Sequence, residues 1–305
     1  SINAAYAHID GGTGNPGYLS AYRDEYAVYN DGQLTFYYDI DRLSRAGKVY
    51  LLSADNLWNK DGNNNNVTTV SFDPSFAEAR PTSTASWFSN MNKLTTINGL
   101  EYLNTSEVTD MSAMFISSSA LTNLDLSGFN TAKVTDMSYI FSGCSGLESV
   151  NLSNFDTGNV TDMSYMFNDC GSLETLDLSS FYTVNLTNTE HMFYDCTSLA
   201  TIYVKILFTV KNVTKSDYMF YHCTNLVGGA GTPYDVMHTD KNYAYIDGRN
   251  GYPGYFTDID TPSGIATVCT SDNVGNAPVY YLQGRRINGQ SPKGIYIVGG
   301  RKVVK

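Results

Sequence analysis

Apolar residues recur along this chain in fixed columns. A variant of Val-Thr-Asp-Met-Ser-Tyr-Met-Phe is spelled five times and closes on Phe115, Phe141, Phe167, Phe193 and Phe220, at spacings of 26, 26, 26 and 27 residues. Counted from each phenylalanine, Val108, Val134, Val160, Leu186 and Val213 stand seven before it, and Leu121, Leu147, Leu173, Leu199 and Leu226 six after it. Pairs follow at nine and eleven after (Leu124/Leu126, Val150/Leu152, Leu176/Leu178, Ile202/Val204), with Phe129, Phe155, Phe181 and Leu207 at fourteen. A degenerate copy begins at Trp87-Phe88 and continues through Leu94 and Ile97, so about six units are present.

Within a unit, Leu176-Asp177-Leu178 alternates apolar and polar, the period of a strand with one face buried. Val160, Met163, Met166 and Phe167 fall at i, i+3, i+6 and i+7, which predicts one face of a two-turn helix. Thr161 or Asp162 is suited to cap its first turn. The expected fold is an α/β solenoid: leucine-rich units of 26–27 residues, each a short strand plus a short helix, stable only when stacked on neighbours and closed at both ends.

The flanks read as those closures. Val28–Phe36 predicts two strands about an Asp31-Gly32 turn, where glycine accepts the positive φ required. With Val49–Leu52 and Val67–Phe72 it makes residues 21–80 a β-rich N-terminal cap, followed by repeats over 81–227 and a C-terminal cap over 228–258. Residues 243–255, Tyr-Ala-Tyr-Ile-Asp-Gly-Arg-Asn-Gly-Tyr-Pro-Gly-Tyr, align without a gap with residues 6–18 and share nine of thirteen positions. Residues 1–20 are therefore read as the exit cap of a preceding module that is absent or severed: either tandem modules that contact one another are expected, or this segment docks against the entry cap, the alternative being a mature chain with an unusual start. Residues 259–305 form a linker at Pro262-Ser263-Gly264 and a small β tail. From 266 onward the tail holds six basic residues and one acidic residue, a net +5, so the preceding residues carry −16 of the total −11.

These residues carry a resemblance. The units VTDMSYIFSGCSGLESVNLSNFDTGN and VTDMSYMFNDCGSLETLDLSSFYTVN resemble the BspA-type leucine-rich repeats of bacterial surface proteins. The segments AYAVYNDGQLTFYYD, VSFDPSFAEARPTSTASWF and YAYIDGRNGYPGYFT are similar to those that open and close such modules, and YYLQGRRINGQSPKGIYIVGGRKVVK resembles secretion and sorting segments of Bacteroides-type secreted proteins. The resemblance implies an extracellular or cell-surface protein that adheres to host proteins or glycans. The fourth unit departs from it, with Leu186-Thr187-Asn188-Thr189 and Lys205-Ile206-Leu207-Phe208 in place of the usual residues.

Composition narrows the chemistry. A pI of about 4.7 argues against nucleic acid, which needs clustered Lys/Arg. No run of eighteen apolar residues predicts membrane insertion. Cys144, Cys170, Cys196 and Cys223 all stand three after the phenylalanine, with Ser118 one unit earlier. One cysteine per unit lacks the paired spacing of a zinc site and reads as a column of reduced core thiols, although stacked neighbours fall within disulfide range. Cys269 lies outside that column. Asp110, Asp136 and Asp162 read as repeated capping rather than a cation site, so no metal or cofactor is expected.

Nothing assembles a catalytic centre. There is no G-x-S-x-G elbow, His8, His191, His222 and His238 occupy cap or repeat contexts, and GGTGNPG lacks the Lys-Ser/Thr of a phosphate loop. His191 takes the place of Tyr139 and Tyr165 and reads as a helix-surface residue. A carbohydrate-active enzyme would need paired acids across a groove, and none can be placed. The candidate ligand-binding residues are those facing outward from the strands: Asn123, Asp125, Ser149, Asn151, Thr175, Asp177, Thr201 and Tyr203. Such a face serves equally as a binding surface or as a solvated sheet. Tyr139, Tyr165 and Tyr218 offer a second aromatic candidate. The expected function is non-catalytic binding or adhesion; the alternative is a structural spacer of tandem modules.

Overall fold

A computed structural model describes residues 23–52 and 57–260, together with the strands at 279–281, 286–287, 295–298 and 301–304. The readings of residues 1–20, Pro262–Gly264 and Cys269 lie outside the described residues. The N-terminal cap opens with β1 (Asp24–Asn30) and β2 (Gln33–Asp39), an antiparallel hairpin whose Asp31 and Gly32 have φ 45 and 81. Alternation in β2 buries Leu34 and Phe36, while the central strand β1 buries three consecutive residues, Tyr26, Ala27 and Val28. With β3 (Lys48–Leu51), β4 (Thr69–Phe72) and β5 (Thr96–Asn98) it forms a sheet of order β3-β1-β2-β4-β5, so the cap's sheet takes its last strand from the first repeat. Phe36 centres the cap core, 5.1 Å from Trp87 and 4.8 Å from Phe72.

The repeats contribute β6 (Asn123–Asp125), β7 (Ser149–Asn151), β8 (Thr175–Asp177) and β9 (Thr201–Val204), and β10 (Phe256–Asp258) comes from the C-terminal cap. All pair in parallel, but in two separate sheets, β6-β7 and β10-β9-β8. The tail strands β11 (Val279–Tyr281), β12 (Arg286–Ile287), β13 (Ile295–Val298) and β14 (Arg301–Val304) make a fourth sheet of order β12-β11-β13-β14.

The fold is not the expected α/β solenoid of strand-plus-helix units. The α-helix found among the described residues is the four-residue Leu57–Lys60 of the N-terminal cap; the repeats carry none, and the strands are divided among small sheets. Tyr139, Tyr165, His191 and Tyr218, in the middle of each predicted helix, have φ between 55 and 58, the left-handed region, which breaks a right-handed helix. The Tyr139 N–H therefore does not donate four residues back. It donates to the Ser164 carbonyl of the next unit at 2.9 Å, as Met137 does to Asp162 and Phe141 to Met166. Every second peptide in this stretch consequently points its C=O toward the preceding unit and its N–H toward the following one. A chain of such turns also returns every third residue to the interior. Val160, Met163, Met166 and Phe167 are accordingly all fully buried without a helix.

This turn column runs unbroken through parallel bridges Ser83–Asp110–Asp136–Asp162–Asn188–Lys215. Inside it the phenylalanines stack from Phe88 to Phe220 with centroids 5.2–5.9 Å apart. Carbonyls left over at its first unit are closed by cap side chains: Trp58 Nε1 donates to Trp87 O at 2.8 Å and Asn64 Nδ2 to Ser89 O at 3.2 Å. At the last unit, Phe220 N–H donates to Thr239 O and His222 N–H to Tyr234 Oη. The caps supply the hydrogen bonds that a missing neighbour would have made.

Two further columns tie units together. Thr105, Thr131, Thr157 and Thr183 are buried, and each hydroxyl both donates to a carbonyl and accepts from an N–H of the next unit; for Thr157 both partners belong to Tyr182, at 3.1 and 2.8 Å. The threonine recurs ten before Phe115, Phe141, Phe167 and Phe193, with Val210 in that place before Phe220, and the sequence alone names no partner for it. Cys144, Cys170, Cys196 and Cys223 are free and buried, each thiol donating to the carbonyl of the preceding unit's phenylalanine at 2.9–3.3 Å. Ser118 makes the same bond to Phe88 at 2.6 Å. Burial pushes the Cys144 and Cys196 thiols up to about 12, and raises Cys170 and Cys223 well above their ordinary value, so these are protonated core groups rather than nucleophiles.

Candidate functional site

The eight outward residues are brought together as four registered pairs: Asn123 with Ser149, Asp125 with Asn151, Thr175 with Thr201, and Asp177 with Tyr203. Leu124, Leu176 and Ile202 between them are buried and anchor the strands, so alternation fixes which side chains reach solvent. Thr201 and Tyr203 are half-buried and the other six are exposed. Ser149 Oγ lies 2.6 Å from Asn123 Oδ1.

Three of these residues have a local duty as well. Asp125, Asn151 and Asp177 each accept, through Oδ1, the backbone N–H two residues on, at Ser127, Ser153 and Ser179, over 2.8–3.1 Å. The Ser127 N–H holds the Asp125 carboxyl below the usual carboxylate range. One oxygen of each side chain is thus committed to closing the strand-end turn. Asp110, Asp136 and Asp162 do the same for Ser112, Ser138 and Ser164 at 2.8 Å, so these carboxylates close turns, and the helix they were expected to cap is absent. Among the described residues, no three His, Cys, Asp or Glu side chains come together to hold a metal ion.

The strand face is not continuous. Between β5 and β6 the ladder is interrupted by a groove of ≈ 420 Å³ lined by Ile97, Gly99, Glu101, Asn123, Asp125 and Ser127. The two sheets part again between β7 and β8. The Tyr139 and Tyr165 rings stack 4.5 Å apart, and His191 stacks 4.5 Å from Tyr165. His191 is therefore a member of an aromatic stack on the turn column and does not lie on a helix surface. His222 and His238 are tied to Asp195 at 2.6 Å and Asp235 at 3.0 Å.

A larger groove of ≈ 620 Å³ had no counterpart in the sequence pattern. Its walls are Ile206, Phe208 and Thr209 of the fourth unit and Tyr245, Ile246, Arg249, Asn250, Tyr252 and Pro253 of the C-terminal cap, with Asn242 beside them. The fourth unit has one extra residue, and the structure places Phe208 rather than Leu207 in the core column beside Phe256. Ile206 and Leu207 are displaced outward, 63% and 53% exposed. Arg249 Nη1 stands 3.7 Å from Asp258 at the end of β10. The signal available in sequence was the replacement of a polar turn by Lys205-Ile206-Leu207-Phe208.

Residues 82–203 and, overlapping them, 122–232 match a family described as Mycoplasma protein of unknown function, DUF285. The similarity covers the repeats, just under half of the chain. No curated protein and no solved structure matches it. No helix among the described residues is long and apolar enough to cross a membrane.

Proposed function

We propose that this chain is a non-catalytic binding protein of the bacterial surface or extracellular space, engaging a host protein or glycan through the exposed face of β6–β9. The observation that carries this reading is the preorganisation of that face. Polar side chains project from strands whose alternate residues are locked in the core, and Asp125, Asn151 and Asp177 are already oriented by their own backbones, so little conformational freedom is left to lose on binding.

The test is binding of the full chain to an array of extracellular matrix proteins and glycans. Saturable binding that falls about tenfold or more in Asp177→Asn with Tyr203→Ala, a loss of roughly 1.4 kcal/mol, supports the reading. Asp177→Asn retains the acceptor for Ser179 N–H, so the turn survives. Binding indifferent to both changes removes the strand face from consideration. The near-identity of residues 6–18 and 243–255 favours one second reading, a spacer of tandem modules, for which end-to-end association without any ligand is the expected behaviour.

A further inference from the structure

One side of the turn column is an aromatic stack that the turns themselves do not require. The residue two before each phenylalanine is Ser86, Ala113, Tyr139, Tyr165, His191 and Tyr218 in successive units, and all six share a φ of 55–59. The turn therefore forms as well around Ser86 and Ala113 as around a ring. Tyr139, Tyr165 and His191 lie parallel, with centroids 4.5 Å apart and planes 5° apart. Toward the C-terminal cap the stack loses order, since Tyr218 is tilted 40° from His191 and meets Tyr221 at 84°. Toward the N-terminal cap it ends on a bare face. Tyr139 is 36% exposed, and beyond it the column carries the methyl group of Ala113 and then Ser86. A place for one more flat group is left over Ala113, against the outer face of Tyr139.

The charge around that place has one sign. The turn stretches 82–90, 109–117, 135–143 and 161–169 hold Asp110, Asp136, Asp162 and Asp169 and no Lys or Arg. Burial, and then the neighbouring Tyr165, Glu190 and Asp162, push the Tyr139 hydroxyl above its ordinary value, so Asp162, one unit on, is close enough to act on the Tyr139 side chain. Asp110, Asp136 and Asp162 are joined in one line of parallel bridges. The repeat therefore sets Asp136 in the same relation to the place over Ala113. One oxygen of Asp136 accepts the Ser138 N–H; the other has no hydrogen-bond partner among the described residues, whereas Oδ2 of Asp162 accepts from Asn188 Nδ2 at 2.9 Å.

The same chain shows what fits a tyrosine face beside an aspartate. In the N-terminal cap the Arg45 guanidinium lies over the Tyr37 ring, 3.9 Å from its centroid, and pairs with Asp39 at 2.5 Å. At the end of the stack the tyrosine and the aspartate are present without an arginine in those turns. We propose that the place over Ala113 binds an arginine side chain of a partner protein, its guanidinium stacked on Tyr139 as the next rung of the column and its charge turned to Asp136. The guanidinium is a flat cation that stacks on aromatic faces, whereas the lysine ammonium is a compact point charge. This surface is separate from the β6–β9 face.

Titration of the full chain with a fluorescent peptide of alternating Arg and Gly tests this, at about 0.15 M salt to screen long-range attraction, against the same peptide with Lys for Arg. Saturable binding is expected for the arginine peptide, and binding about threefold or more weaker for the lysine peptide. Tyr139→Ala, which puts at 139 the residue that 113 already carries at φ 55, should weaken arginine-peptide binding about tenfold or more. So should Ala113→Tyr with Asp110→Asn, which fills the place with a ring and removes the acid standing next along the column while keeping the acceptor for Ser112 N–H. That variant retains Tyr139, so it decides the matter even where Tyr139→Ala fails to fold. Asp177→Asn with Tyr203→Ala, on the strand face, should leave peptide binding unchanged. Binding that survives the filled variant overturns the proposal and assigns the peptide to the chain's net charge of −11, as does equal binding of the lysine peptide. Absence of saturable binding overturns it outright.

Discussion

The turn column and the strand column are built from the same repeats, yet one is continuous and the other is broken. Bridges join the turns of every unit from Ser83 to Lys215, whereas the strands fall into β6-β7 and β8-β9-β10 with gaps on either side of the first pair. The turn column has more to hold it. Each unit offers a run of aligned N–H and C=O groups to its neighbours, with a stacked phenylalanine, a thiol or hydroxyl bond and a buried threonine clasp behind them. A strand of three residues offers two or three backbone bonds and one or two inward side chains. Stability of the stack therefore resides in the turns, and the strands are freer to vary what they present.

The widest separation between the two columns is expected from truncating a side chain in each. Phe167→Ala, which opens the phenylalanine stack, should cost about 3–5 kcal/mol, while Val150→Ala in half-buried β7 should cost about 1 kcal/mol; equal losses in denaturant melts would erase the distinction. Next in size, Trp58→Phe keeps an aromatic ring and removes the donor to Trp87 O, leaving a buried carbonyl unpaired at about 1–3 kcal/mol. Exchange should accelerate first at residues 84–90, and uniform acceleration along the repeats would contradict the assigned capping role. The smallest effect concerns charge within the turn column. Burial and the neighbouring Asp195 raise the Asp169 carboxyl above its ordinary range. A raised folded pKa favours the folded state at acid pH, and that contribution is lost as pH rises through it. Asp169→Asn should therefore stabilise at pH 7, within the ~0.5 kcal/mol of a surface change, and that gain should vanish below the carboxylate range. A gain that persists in acid would trace to something other than charge.

Much of the inside was legible. The columns at Val160, Met163, Met166, Phe167, Leu173, Leu176 and Leu178 are buried as their spacing required, and the Asp31-Gly32 hairpin forms where glycine allows it. The helix was misread because inward residues every third position satisfy both a helical stripe and a run of short turns. Nothing local distinguishes them, since Tyr139 and Tyr165 are not residues that advertise a positive φ. The core register at the fourth unit was misjudged by one residue, because only packing against Phe256 selects Phe208 over Leu207. Alternation puts six of the eight strand-face residues in solvent and leaves Thr201 and Tyr203 half-buried, but the turn-closing duty of Asp125, Asn151 and Asp177 was not apparent from it.

By itself the sequence determined the period, the buried columns and the alternation of the strand face, because each arises from hydrophobic spacing or turn chemistry within one unit. Tertiary structure decided the rest. Whether a backbone N–H bonds within its own turn or to the next unit depends on a neighbour 25 residues away, and that choice replaced the helix; packing of Phe208 against Phe256 likewise turned Ile206 and Leu207 outward at the C-terminal groove.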